Sequence, residues 1–195
     1  MANKVSIINQ ALGFLGANRI TSIDDNSSTA ILSKDLYDDT RDACLEEGDW
    51  SFAFRRYVLP QSVDKPAFGG QNKYPLPDDI LRVIEVNENK YEWTLEERCI
   101  FTLQGMCQVT CIVKITDPNK MSAMFRQAFA ARLAWDMALP ITNSKTMYES
   151  MFNLYKQKID YARANDGMQG TTKLVKSGRF TNARAGGSNF AGPYV

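Results

Sequence analysis

A chain of 195 residues with 44% apolar and 23% charged residues matches soluble globular proteins with one main core, and neither disorder nor membrane residence is expected of it. With 23 Lys and Arg against 22 Asp and Glu the formal net charge is +1, so no long-range field draws it to nucleic acid and any DNA contact must be local. Histidine is absent, which excludes histidine-based acid–base catalysis and removes the commonest metal ligand.

Val5, Ile8, Leu12 and Leu15 recur at helical spacing and Gly16 follows as a stop, predicting a first helix. Asn26-Ser27-Ser28 offers cap side chains to a second helix that ends near Gly48 and turns Leu32, Leu36, Thr40 and Ala43 inward. The same triplet matches a glycosylation sequon, but without a secretory signal its use is as a cap. Asp35, Asp38, Asp39, Asp42, Glu46 and Glu47 crowd the outer face of this helix. They read as solvated surface, with an acid–base pair or a charged seam against a neighbouring subunit as the alternatives. Trp50-Ser51-Phe52-Ala53-Phe54 alternates like a strand or an extended connector pinned to the core. Base stacking by its aromatics beside Arg55 and Arg56 is the minor alternative.

From Tyr57 to Ile115 the chain is β-rich, punctuated by Pro60, Pro66, Pro75, Pro77 and Gly69-Gly70. Strands are predicted over 81–86, 90–95, 99–103 and 108–115, with turns at Asn87-Glu88-Asn89 and Gln104-Gly105. They should form one small antiparallel sheet with a face on the helices. Val109, Cys111, Val113 and Ile115 share one side of the last strand. Asp117-Pro118 is expected to start a long helix with Met121, Met124, Phe125, Ala128, Ala131, Trp135 and Leu139 mainly on one side. Pro140 should break it, and Thr142-Asn143-Ser144 caps another helix that carries Tyr148, Phe152, Tyr155 and Ile159 on one stripe, with Met147, Met151 and Leu154 beside it. The fold class is therefore α+β: a bundle of about four helices, a small antiparallel β-rich projection and an extended C-terminal arm. The expected division is a body over 1–166, with a β-rich insertion over 57–116, and the arm over 167–195.

Residues 167–195 hold six of the twelve glycines, no acid and four basic residues. No apolar period runs through them, so the arm should order only on a partner, with a reach of up to about 100 Å at 3.3–3.6 Å per residue. Its expected partner-binding residues are Lys173, Lys176, Arg179, Phe180, Arg184, Phe190 and Tyr194.

Cys44, Cys99, Cys107 and Cys111 lack C-x-x-C spacing, and a reducing cytoplasm would keep them as thiols. Cys107 and Cys111 on one strand stand roughly 13 Å apart, beyond disulfide reach, and read as small buried hydrophobes. No phosphate-binding glycine loop, nucleophile elbow or zinc-protease motif occurs, so no catalytic, cofactor or metal site is expected. No apolar run long enough for a leader or a membrane span is found, which predicts a cytoplasmic product.

The order of several short strings resembles the tail tubular protein A family, the head-to-tail adaptors or gatekeepers of short-tailed bacteriophages. They are Ile8-Asn9-Gln10-Ala11-Leu12-Gly13-Phe14-Leu15-Gly16, Ile20-Thr21-Ser22-Ile23 and the acidic helix leading into Trp50-Ser51-Phe52. Tyr74-Pro75-Leu76-Pro77-Asp78-Asp79-Ile80-Leu81-Arg82-Val83 and Lys114-Ile115-Thr116-Asp117-Pro118 follow. Ala130-Ala131-Arg132-Leu133-Ala134-Trp135 and Leu139-Pro140-Ile141-Thr142 complete the set, which spans residues 3–166. The resemblance implies a structural, non-enzymatic virion protein of the tail neck, assembled in the host cytoplasm. It further implies a dodecameric ring that joins portal protein to tail nozzle protein, meets tail fibre or spike proteins, and lets viral DNA through its channel without reading sequence. The alternatives are a nucleic-acid-binding module using the basic arm with Arg55, Arg56 and Trp50 or Phe52, and a carboxylate hydrolase built on the Asp35–Glu47 helix.

Overall fold

The computed structural model describes residues 2–64, 66, 69 and 71–169. Among them the fold is α+β: four helices pack together, and two three-stranded antiparallel sheets are inserted between the second and third.

Helix α1 (Lys4–Leu15) opens on a reciprocal cap, in which Asn3 Oδ1 accepts the Ser6 N–H at 2.7 Å and Ser6 Oγ accepts the Asn3 N–H at 3.1 Å. Gly16 ends it in the left-handed region at φ 67°. The face Ile7, Ile8, Ala11, Leu12 and Leu15 is buried, close to the predicted one.

Helix α2 (Ser28–Glu46) is capped by Ser27 and ends where expected, but it is turned differently. Leu32 and Leu36 are half-buried on its flank and Ala43 is exposed, while Ala30, Ser33, Tyr37, Thr40, Arg41, Cys44 and Leu45 face the core. The reason is size and pairing. Tyr37 packs edge-on against Phe129 with ring centroids 5.0 Å apart, and the guanidinium of Arg41 is neutralised by Asp38 and by Asp42 at 2.7 Å.

Trp50 is only 1% exposed. Its indole N–H donates to the Cys44 carbonyl at 3.0 Å and its ring meets Phe125 at 4.9 Å. Gly48 leaves room for it, since a Cβ there would lie 2.7 Å from the indole. The stretch read as strand-like is in fact a 3-10 turn over Ser51–Ala53, and the strand follows it.

The strands are β1 (Phe54–Leu59), β2 (Asn72–Pro75), β3 (Ile80–Val86), β4 (Trp93–Glu96), β5 (Cys99–Thr102) and β6 (Cys107–Val113). The expected single sheet is two, ordered β1-β6-β3 and β2-β5-β4, and β1 and β2 were not among the predicted strands. Along β6 the alternation holds, with Cys107, Val109, Cys111 and Val113 buried and Ile112 buried as well. Asn87, Glu88 and Asn89 make the turn after β3 with φ of 47°, 56° and 51°. Ile80, Cys111, Ile112 and Val113 join the helical core, whereas Leu59, Tyr74, Val86, Ile100, Cys107 and Val109 form a second, smaller core between the sheets.

Asp117-Pro118 starts only a 3-10 turn, because Met121 reverts to extended backbone. Helix α3 (Ala123–Thr142) begins after the Ser122 cap. It runs through Pro140 instead of breaking there. The proline removes one ladder donor near the helix end, where Thr142 Oγ1 donates to the Ala138 carbonyl at 2.6 Å and left-handed Asn143 closes the last turn. The helix is buried on nearly every side, yet Met124 and Leu139, expected inside, are exposed. Helix α4 (Lys145–Gly167) is capped by Ser144 and buries Met151, Tyr155, Ile159 and Ala162, while Phe152 is turned outward. No helix among the described residues is long and apolar enough to cross a membrane.

Candidate interaction surfaces

The strings singled out in the sequence turn out to be joints. Asn9 clasps the backbone of Ile20 from both sides, its Nδ2 donating to the carbonyl at 2.9 Å and its Oδ1 accepting the N–H at 2.8 Å. This ties α1 to the loop that follows it. Asp79 accepts the Tyr57 hydroxyl at 2.7 Å while its carbonyl accepts the Lys114 N–H at 2.8 Å, so three chain segments meet there. Arg82 reaches Asp49 and the Gly48 carbonyl, holding β3 to the exit of α2. Arg132 lies over the Trp135 ring at 4.5 Å and shares Asp136 with Thr40, which binds α3 to α2.

A second set of contacts fixes the end of α4. Asp166, 7% exposed, accepts the Ser51 N–H at 2.7 Å and the Ser51 hydroxyl at 2.8 Å. Glu47 accepts the Tyr155 hydroxyl and pairs with Arg163 at 2.8 Å. Burial first, and then the hydrogen bond to Glu47 and the Glu47 charge, hold the Tyr155 phenol far above its ordinary range. The last helical turn is thereby oriented by charge-assisted bonds, from Ser51 to Asp166 and from Arg163 to Glu47.

Two of the grooves lined by described residues differ in character. One of about 640 Å³ lies on the sheet β1-β6-β3, lined by Arg56, Val58, Glu85, Gln108 and Thr110 among others, and its walls are largely polar. The other, about 390 Å³, lies between the start of α3 and the end of α4 and is mostly apolar. Met124, Gln127, Lys158, Tyr161, Asn165 and Met168 line it, with Met124 45%, Tyr161 75% and Met168 81% exposed. Further exposed apolar side chains, Tyr91, Leu95 and Leu103, lie in or beside the strands of the smaller sheet, and Met106 directly precedes β6.

No family model and no curated protein matches this chain.

The residues expected to bind partners, Lys173, Lys176, Arg179, Phe180, Arg184, Phe190 and Tyr194, lie outside the described residues. The helix itself reaches one residue further than the expected boundary, to Gly167. Trp50, proposed for base stacking, is buried in the core and Phe52 is half-buried beside it, stacked at 6.1 Å, while Arg55 and Arg56 remain exposed on β1.

Of the acids on α2, Asp38 meets Lys4 at 3.4 Å and Asp42 meets Lys114 at 2.8 Å besides their shared Arg41, and Glu47 holds Arg163. These three therefore also tether elements, and all six acids except the half-buried Asp42 are exposed as expected. All four cysteines are buried free thiols. Burial pushes Cys44 up to about 12 and Cys107 and Cys111 up to about 11, which keeps them protonated and poor as nucleophiles or ligands. Among the described residues no group of His, Cys, Asp and Glu could hold a metal ion.

Sequence reading missed the apolar groove. Met124 directly precedes the core residue Phe125, and Tyr161 and Met168 sit off the Tyr155–Ile159–Ala162 stripe. The available signal was large apolar residues at positions facing away from a helix's own buried stripe.

Proposed function

We propose that this chain is a head-to-tail adaptor subunit of a short-tailed phage, a structural protein that packs into a ring between portal and tail nozzle. The observation that carries the reading is the pairing of a helical body with an inserted β-rich unit that has its own core, each exposing apolar side chains on a different part of the molecule. A subunit that must bind two neighbours needs two such surfaces. The family-like strings support it further, because they fall on the joints between elements, where they hold an architecture together.

On this reading the helical faces pack between copies, the β-rich unit meets the nozzle, and the basic C-terminal arm orders along the portal or an adjacent subunit. Ordering the arm costs free energy, so the purified chain self-associates weakly and forms a stable ring only on the portal. The test is co-sedimentation of the full chain with the portal ring encoded by the same genome. Binding is expected, and it is expected to weaken strongly when the chain is cut after Gln169. A chain that ignores the portal and instead binds DNA with a steep loss on adding salt would replace this reading with the nucleic-acid one.

A further inference from the structure

We infer that neighbouring copies of this chain join edge to edge, strand β1 of one copy pairing antiparallel with strand β4 of the next. The inference deepens the ring reading by naming one contact between copies, beside the helical faces, and rests on that reading's premise that copies meet.

The first observation is which sheet edges are open. The two sheets end in four edge strands, β1, β3, β2 and β4, and an open edge is a row of backbone donors and acceptors that another strand can complete. Two of the four are blunted. Strand β3 is interrupted by register shifts at Ile80/Arg82 and Val83/Glu85, and its Ile80 carbonyl accepts from the Arg98 guanidinium at 3.0 Å. In β2 the Lys73 carbonyl already accepts the Ser62 N–H at 2.8 Å, and Pro75 has no N–H to donate. Strands β1 and β4 instead keep unbroken register with their single neighbours, over Phe54–Leu59 and Trp93–Glu96, and most of their side chains are exposed.

The second is charge. Arg55 and Arg56 lie on β1, whereas Glu92, Glu96 and Glu97 lie on or beside β4. All five are exposed and none is in an ion pair among the described residues. Charges on edge strands keep sheets apart, and one sign on both edges would do that. Opposite signs act differently. Pairing β1 with β1 crowds arginine against arginine, and pairing β4 with β4 about Thr94 sets Glu92 opposite Glu96, whereas β1 with β4 matches cation to anion.

The third is register. With Arg56 opposite Glu96, antiparallel pairing places Arg55 opposite Glu97, Tyr57 opposite Leu95, Val58 opposite Thr94 and Leu59 opposite Trp93. Leu59 and Trp93 both belong to the smaller core, and Val58 and Thr94 are both exposed, so inward residues meet inward ones. A slip by one residue would set Leu59 against Glu92 or Thr94. Each copy offers one β1 edge and one β4 edge, so the contact runs head to tail, the kind that closes a ring or continues as a filament.

The test uses two full-length variants, Val58→Cys and Thr94→Cys, both at exposed positions, while the four native thiols are buried. Mixed at high concentration and mildly oxidised, they should give the crossed disulfide dimer about tenfold over either symmetric one, against roughly twofold for random collision. Arg56→Glu in the Val58→Cys chain should cut the crossed product about fivefold, and Glu96→Arg in the Thr94→Cys chain should restore it. A crossed product no more abundant than random collision gives, one unmoved by Arg56→Glu, or one that the charge exchange fails to restore would each overturn the inference. These mixtures contain no portal, so such a failure removes the edge contact while co-sedimentation with the portal still judges the adaptor reading separately.

Discussion

The helical body and the smaller sheet are stabilised on different scales. In the body, Phe125, Phe129, Leu12 and Trp50 are fully buried within one continuous cluster that draws on all four helices and on β3 and β6. The sheet β2-β5-β4 has four-residue strands and shares a core of six buried residues with the sheet beneath it. Its outer side chains Leu95 and Leu103 are exposed. Stability is not uniform in such a molecule: the region with few buried contacts opens locally while the large core opens only with global unfolding. On the proposed adaptor reading, the body would fix a position and the projection would adapt to a partner.

That contrast is broken or sharpened by substitution. Phe125→Ala, which removes a ring touching Trp50, Phe52 and Phe129, should cost about 3–5 kcal/mol of global stability in denaturant unfolding. Ile100→Ala in β5 removes a side chain of similar burial, with a cost of about 2–5 kcal/mol. Its effect should be confined: hydrogen exchange should speed in β2, β4 and β5 while amides of α1 and α3 keep their protection. Equal loss in both regions would mean that the two cores unfold as one.

A smaller effect is expected at the junction. Gly48→Ala forces a methyl against the Trp50 indole and should cost about 1–3 kcal/mol through overpacking. The shift should appear in Trp fluorescence as well as in the unfolding midpoint.

The smallest is a loop effect with a defined pH dependence. Asp25 Oδ2 accepts the Ser22 N–H, the Thr21 N–H and the Thr21 hydroxyl, and these bonds lower its pKa below the ordinary 3.8. Its contribution is therefore full above the unfolded value and fades as pH falls through the lower folded one. Asp25→Ala should speed amide exchange at Thr21 and Ser22 at neutral pH. The difference from the unsubstituted chain should vanish in strong acid.

The legible parts of the fold are those where local signals agree. Helix α1 has caps, a Gly stop and apolar spacing that all point the same way, and the Ser27 and Ser144 caps were equally readable. Helix α2 was misfaced because a periodicity reading puts Leu inside and Arg outside, whereas Arg41 is buried with its charge matched by two neighbouring acids. Strand β2 was missed because four residues ending in Pro75 give too short a pattern, and β1 because Arg55 and Arg56 interrupt any alternation. The Pro140 position misled because a proline's cost depends on how many ladder bonds lie beyond it, and only two helical residues do. The groove is a tertiary feature, lined by residues of both α3 and α4, and no single segment encodes it.

The adaptor account is tested most directly by locating the chain in the virion. Antibody raised against the purified protein and imaged by electron microscopy on particles whose genome encodes it should label the neck, between head and tail, and nowhere else. Label on the tail tip, on the capsid surface or on no part of the particle would contradict it.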